Sequence, residues 1–251
     1  MGKDATPTAG EPLLVERRDD RVVATLNRPQ VRNAIDSDLV DRLHALCAEL
    51  ESSPRILIIA GAAGVFASGA DIRELLQRRA VQARAGINTR VFQRIRDLPM
   101  PVIAAIDGYA LGGGAELAYA ADLRLGTPAV KIGNPETGLG IIAAAGATWR
   151  LPELVGDARA AELLYTGRIL SADEALAWGL LSAVHPAAEL MDAAHALADR
   201  IAGNDPLAVR HTKTALRSAD HPAVDLELQA ELFESPEKTR RMRAFLERRR
   251  G

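Results

Sequence analysis

The 251-residue sequence predicts an α/β domain with repeated strand-to-helix crossovers up to about residue 190, followed by a segment made of helices only. Two patterns carry this reading. Short β-branched runs bounded by Gly, Pro or Asp, the mark of buried strands, alternate with stretches whose apolar residues recur every three and four positions. Strands and helices alternating at this spacing imply crossover connections. Beyond about residue 190 only the helical pattern continues. Composition agrees: 48% hydrophobic and 25% charged residues with net charge −2 describe an ordinary globular chain, long enough for a core that holds an enzyme pocket.

Residues 1–12 contain no apolar run and read as a flexible tail, neither a signal peptide nor a transit segment. Strands are expected over 22–26, 56–59, 102–106 and, more weakly, 130–132. Between the first two, Asp36 is placed to cap a helix over 37–52, where Leu39, Leu43, Leu46 and Leu50 form one stripe joined by Val40 and Cys47. The apolar stretch 101–123 is too interrupted by Asp107, Glu116, Asp122 and glycines to span a membrane. Helices are expected over 191–202, 206–218 and 223–250. A boundary near Ala194 divides the chain into a core over 13–194 and a helical segment over 195–251.

Composition also removes functions. A single cysteine excludes an internal disulfide framework and Cys-based zinc sites, and fits a reducing, cytoplasmic setting. Nine aromatic residues are few for a base-stacking surface. The five histidines show no metal-ligand spacing, so no metal is expected. From Lys238 to Arg250 there are seven basic residues and one acidic one, leaving residues 1–237 with 24 basic against 32 acidic, a net −8. Such a basic end suits a solvated face, the phosphates of an anionic ligand, or nucleic acid, the last being the weakest fit.

The segment PVIAAIDGYALGGGAELAYAAD at 101–122 reads as strand, glycine-rich turn and helix. Gly112 to Gly114 let the backbone approach a ligand closely, and the unpaired N–H groups of a helix start suit developing negative charge. The same turn serves equally for packing. It lacks the Lys-Ser/Thr pair of a phosphate loop, and Leu117 stands where the dinucleotide fingerprint needs glycine. A second glycine-rich strand exit, GAAGVFASGADIRE at 61–74, offers N–H groups around Gly69 to Asp71; Phe66 rules out a nucleophile elbow at Ser68. Two such exits could converge on one oxygen atom. Glu116, set among Gly114, Ala115, Leu117 and Ala118, and Glu136, following Asn134-Pro135, are the carboxylates of interest. Facing one cavity, they would divide into an acid and a base; apart, each is a capping or ion-pairing glutamate.

Taken with RPQVRNAI at 28–35, NPETGLG at 134–140, TGRILSADEALAWGLLSAV at 166–184 and PLAVRHTKTAL at 206–216, these segments resemble the enoyl-CoA hydratase/isomerase (crotonase) family over about 14–249. The resemblance implies a spiral of ββα units with a C-terminal helical segment that builds homotrimers, often hexamers. It implies hydration of a 2-enoyl-CoA, syn across the 2,3 double bond, in fatty acid β-oxidation or related acyl-CoA metabolism, with coenzyme A part of the substrate and no further cofactor. Position by position, Glu116 and Glu136 match the catalytic pair, and the N–H groups of Ala70 and Gly113 match the oxyanion hole. Ala70, Asp71, Ile72 and Arg73 match the channel for coenzyme A and the acyl chain. Arg73 stands where a basic residue meets the phosphates, Arg32 is a second candidate, and Phe233 resembles an aromatic that contacts coenzyme A from a C-terminal helix. Having both glutamates favours hydration over isomerisation. A specialised acyl-CoA lyase and a noncatalytic acyl-CoA- or RNA-binding protein are the alternatives. The family's usual Pro-Gly-Ala-Gly-Gly reads AAAGA at 143–147, where the Ala144 methyl narrows the pocket, and Arg240-Arg241 replaces a frequent Glu-Gly. The stretch 75–94, expected to line the acyl pocket, carries no residue diagnostic of substrate.

Overall fold

Side chains along the central strands point alternately into two apolar layers. In the computed structural model, which describes residues 10–248, Val22, Ala24, Leu57, Ile59, Val102, Ala104 and Ile106 enter the larger core. Val23, Ile56, Ile58, Ile103 and Ala105 enter a second core on the opposite face. Burial on both faces is why these strands read as continuous apolar runs rather than alternating ones. They are β2 (Arg21–Leu26), β3 (Ile56–Gly61) and β4 (Val102–Ile106), flanked by β1 (Leu13–Arg17), β6 (Leu123–Gly126) and β9 (Ala183–Val184) in the order β1-β2-β3-β4-β6-β9. Within this sheet β1 and β2 pair antiparallel and the other neighbours parallel; in register, Leu57 lies between Val22 and Val102.

A second sheet joins β5 (Tyr109–Leu111), β7 (Lys131–Gly133) and β8 (Ile169–Ser171) in the order β5-β7-β8. The parallel bridges Ile35 to Ala70 and Ala67 to Ala110 tie the segments leaving β2 and β3 to this layer. Among the helices, α1 (Ser37–Ser52) has the expected bounds, with Asp36 Oδ1 accepting from the Leu39 N–H at 3.0 Å and the predicted leucine stripe buried. Then follow α2 (Ile72–Gln77), α3 (Ala80–Ala85), α4 (Ile87–Arg96), α5 (Gly113–Ala120), α6 (Ala147–Val155), α7 (Asp157–Thr166) and α8 (Ala172–Ala177).

Three expectations are corrected. The tail ends earlier than residue 12: the Asn27 N–H donates to the Pro12 carbonyl at 2.8 Å and its side-chain amide to that of Glu11 at 3.0 Å; residues 1–9 lie outside the described residues. The boundary at Ala194 falls inside α9 (Leu190–Ala202), whose Leu190, Ala194 and Ala198, spaced four apart, pack in the second core. Arg21 secures that helix further by donating to the His195 carbonyl at 2.8 Å, so the core extends to about Ala202. The helix expected over 223–250 is two, α11 (Ala223–Glu234) and α12 (Pro236–Arg248). Pro236 has no N–H to continue α11 but suits a first helical turn.

Between them and the core lies α10 (Pro206–Arg217), anchored by charge. Lys213, 7% exposed, reaches Asp122 Oδ2 and the Met100 carbonyl, both at 2.8 Å, and Arg217 Nη2 lies 2.7 Å from Asp122 Oδ1. No residue of α11 or α12 is buried, and no helix among the described residues is long and apolar enough to cross a membrane.

Candidate active site

The chain leaving β3 turns back along β5, and this brings the two glycine-rich strand exits together. The Ala67 N–H donates to the Tyr109 carbonyl and the Leu111 N–H to that of Ala67, both at 3.0 Å, so residues 67–70 run beside 109–113. Gly114 packs so closely on this segment that a Cβ there would fall 2.2 Å from the Ala67 carbonyl oxygen. At the crossing, a Cβ built on Gly113 would stand 3.4 Å from the Ala70 nitrogen, and one on Gly69 would stand 3.8 Å from the Gly113 nitrogen. Neither the Ala70 nor the Gly113 N–H donates to another group among the described residues. Gly113 opens α5, so the field of that helix adds to its N–H.

Both N–H groups border a cavity of about 760 Å³ that also contains Glu116 and Glu136. Glu116 lies in the first turn of α5, 4% exposed, on a helix whose residues are all buried. Its Oε1 accepts the N–H groups of Ala145 at 2.7 Å and Ala147 at 3.1 Å, so the carboxylate stands in for the missing side-chain cap of α6. Burial pushes its pKa up to about 8, against the pull of those N–H donors, and the nearby Glu136 charge adds to the rise. Glu136, 8% exposed, sits in the 3-10 turn Pro135–Leu139. Asn134 Nδ2 lies 3.4 Å from its Oε1, and Tyr119 Oη donates to Asn134 Oδ1 at 3.0 Å; Oε2 is buried without a hydrogen-bond partner. Burial raises its pKa too. Gly112, at φ 51°, makes room for it: a Cβ there would fall 2.9 Å from Glu136 Oε1.

A buried carboxyl pair beside two unpaired N–H donors is the arrangement the sequence resemblance implies, and comparison with known proteins shows the family. The enoyl-CoA hydratase/isomerase family profile matches residues 18–251. A short-chain-enoyl-CoA hydratase of Clostridium acetobutylicum is 36% identical over 249 residues, covering 95% of each chain. A crotonyl-CoA hydratase of Syntrophomonas wolfei is 36% identical over 254 residues, covering 97% of this chain and 98% of the other. The crystal structure of an enoyl-CoA hydratase from Bacillus anthracis superposes with a TM-score of 0.88 at 34% identity, covering 95% and 97%.

The chain belongs to the enoyl-CoA hydratase/isomerase family. The stacked sheets and their helices are accordingly the crotonase spiral, and five of the nine residues expected at the site line its cavity: Ala70, Ile72, Gly113, Glu116 and Glu136. The other four stand elsewhere. Asp71 caps α2, its Oδ1 accepting from the Arg73 N–H at 2.9 Å. Arg73 and Arg32 are exposed outside the lining, and Arg32, at φ 54°, turns the loop so that its carbonyl accepts from the Ser68 N–H. Phe233 lies on α11, 53% exposed, with Lys238 over its ring.

Sequence reasoning missed the groups that hold the glutamates, because these act through backbone N–H groups or across the fold: Ala145, Ala147, Asn134 and Tyr119. It also missed the basic side chains at the cavity, Arg78 and Arg79. Ala144 does line the cavity, as its place in the sequence suggested. Among the described residues no group of three or more His, Cys, Asp or Glu could hold a metal ion.

Proposed function

We propose that the protein is an enoyl-CoA hydratase, adding water syn across the 2,3 double bond of a 2-enoyl-CoA thioester to give a 3-hydroxyacyl-CoA. The observation that carries this reading is the placement of two buried carboxyl groups in the cavity where the Ala70 and Gly113 N–H groups converge. When a water oxygen adds to Cβ, negative charge develops on the thioester oxygen in an enolate-like transition state. The two N–H groups are fixed in advance to receive that charge, which is where such donors contribute most. Glu116 and Glu136 hold the water between them: Glu116 takes its proton as the oxygen adds to Cβ, and Glu136 delivers a proton to Cα. The N–H groups of Ala145 and Ala147 fix Glu116 through Oε1 and leave Oε2 for the water. Raised pKa values let the pair retain a proton near neutral pH, and its titration belongs to both residues together.

Coenzyme A enters as part of the substrate, with no separate cofactor. Arg78 and Arg79 at the cavity are its first candidate phosphate partners, with Arg73 and Arg32 further out and Phe233 contacting it from a neighbouring subunit. We assign the C-terminal helices to a homotrimer or a dimer of trimers, because exposed apolar residues such as Leu226, Met242 and Leu246 sit on helices without a fully buried residue. A single cysteine, Cys47, packed in the core, fits a cytoplasmic protein. Product analysis on 2-enoyl- and 3-enoyl-CoA esters tests the activity. The 2-enoyl esters should gain one water. Conversion of 3-enoyl to 2-enoyl esters without hydration would overturn the reading.

A further inference from the structure

The stretch 75–94 contains one residue that neither the resemblance nor the carboxyl pair accounts for. Asn88, in the first turn of α4, is only 9% exposed and lines the active-site cavity. Its Oδ1 is buried without a hydrogen-bond partner, and its Nδ2 donates to no group among the described residues. An amide whose oxygen is buried without a partner is a poor packing residue, since an apolar side chain of similar size would fill the space without loss of hydration.

The neighbours of the amide nitrogen point to its use. Its Nδ2 lies 3.4 Å from the point a Cβ on Gly113 would occupy, and the Ala70 nitrogen lies 3.4 Å from that same point. The Gly113 nitrogen belongs to the residue that carries the point. Three N–H-bearing nitrogens therefore lie close together at the cavity wall, where the lack of a side chain at Gly113 leaves them uncrowded. The neighbouring Thr89 fixes the start of α4 against the loop that holds Glu116, its hydroxyl donating to the Ala144 carbonyl at 3.2 Å.

We propose that the Asn88 side-chain amide is a third N–H donor to the thioester oxygen of the substrate, beside the backbone N–H groups of Ala70 and Gly113. The assignment rests on the hydratase reading and deepens it, because a cluster of donors without an acceptor suits an oxygen that gains negative charge during reaction. Asn88 is then a catalytic residue on a helix separate from both glycine-rich exits.

Asn88→Leu removes the donor at similar volume, and Asn88→Asp removes it at the same shape while placing a carboxyl group there. Three readouts apply: crotonyl-CoA hydration, the affinity for saturated butyryl-CoA, and the infrared carbonyl stretch of bound butyryl-CoA labelled with carbon-13 at the thioester carbon. In the wild type the stretch should fall below its value in water. Both variants should lose on the order of 10²-fold in kcat, with Asp the slower, and their bound carbonyl frequency should move back toward the free value. Butyryl-CoA binding should weaken far less than kcat. Hydration near the wild-type rate, or a loss of rate with an unchanged carbonyl frequency, would overturn the proposal, the second outcome marking Asn88 as structural. If Asn88→Leu does not fold, the rate and carbonyl frequency of Asn88→Asp decide the question on their own. A wild type that neither hydrates crotonyl-CoA nor shifts its carbonyl would instead sink the hydratase reading, so the two failures are distinct.

Discussion

Glu116 shows how one residue serves structure and chemistry with opposite demands. The N–H groups it caps favour its charged form, yet burial raises its pKa from an ordinary value of 4.5 to about 8. The folded chain therefore keeps a proton that the unfolded chain has lost, so this group's contribution to stability falls as pH rises from about 4.5 to about 8 and is constant above. Urea denaturation across that range should show a flatter pH dependence for Glu116→Gln than for the wild type; equal slopes would mean the carboxyl titrates normally. The glycine triplet was legible as a place of close backbone approach, but its division of labour was not. Gly112 clears Glu136, Gly113 leaves space beside the Ala70 N–H, and Gly114 packs on Ala67. Those partners lie far along the chain, beyond the reach of local pattern. Asn88 escaped for the same reason, since an asparagine between Ile87 and Thr89 looks like any polar helix residue.

Elements were legible where burial repeats. The strands β2, β3 and β4 and the helix α1 announce themselves because each presents apolar residues to a core at a fixed period. The strands β5, β8 and β9, of three residues or fewer, are too short for a period to form. The helix α9 was visible, but its membership of the core was not, because Ala194 and Ala198 are weakly apolar letters whose small size permits close packing on the sheet. The helix α10 is attached chiefly by the Asp122, Lys213 and Arg217 cluster, in which burial lowers the Lys213 pKa to about 8. Asp122→Ala leaves the buried Lys213 without its counter-ion and Arg217 with only Asp97 at 3.7 Å, and should destabilise the fold by about 3–5 kcal/mol in urea unfolding. A loss below about 1 kcal/mol, the range of exposed pairs, would show that the cluster contributes little.

The whole molecule divides into an acidic body and a basic C-terminal end, and the near-neutral net charge hides this. Arg249 and Arg250 of that end lie outside the described residues; the remainder sits on α12, which with α11 contributes nothing to the core. The proposed assembly predicts that charged substitutions at Leu226 and Met242 together shift sedimentation toward the monomer; an unchanged mass would remove these helices from the interface. At the centre of the proposed chemistry stands the carboxyl pair. Crotonyl-CoA turnover by Glu116→Gln and by Glu136→Gln, measured beside their affinity for butyryl-CoA, tests it most directly. Each variant should lose about 10²–10⁴-fold in kcat while binding the saturated ester nearly as the wild type does. Near-normal turnover in either variant would contradict the roles assigned to the pair.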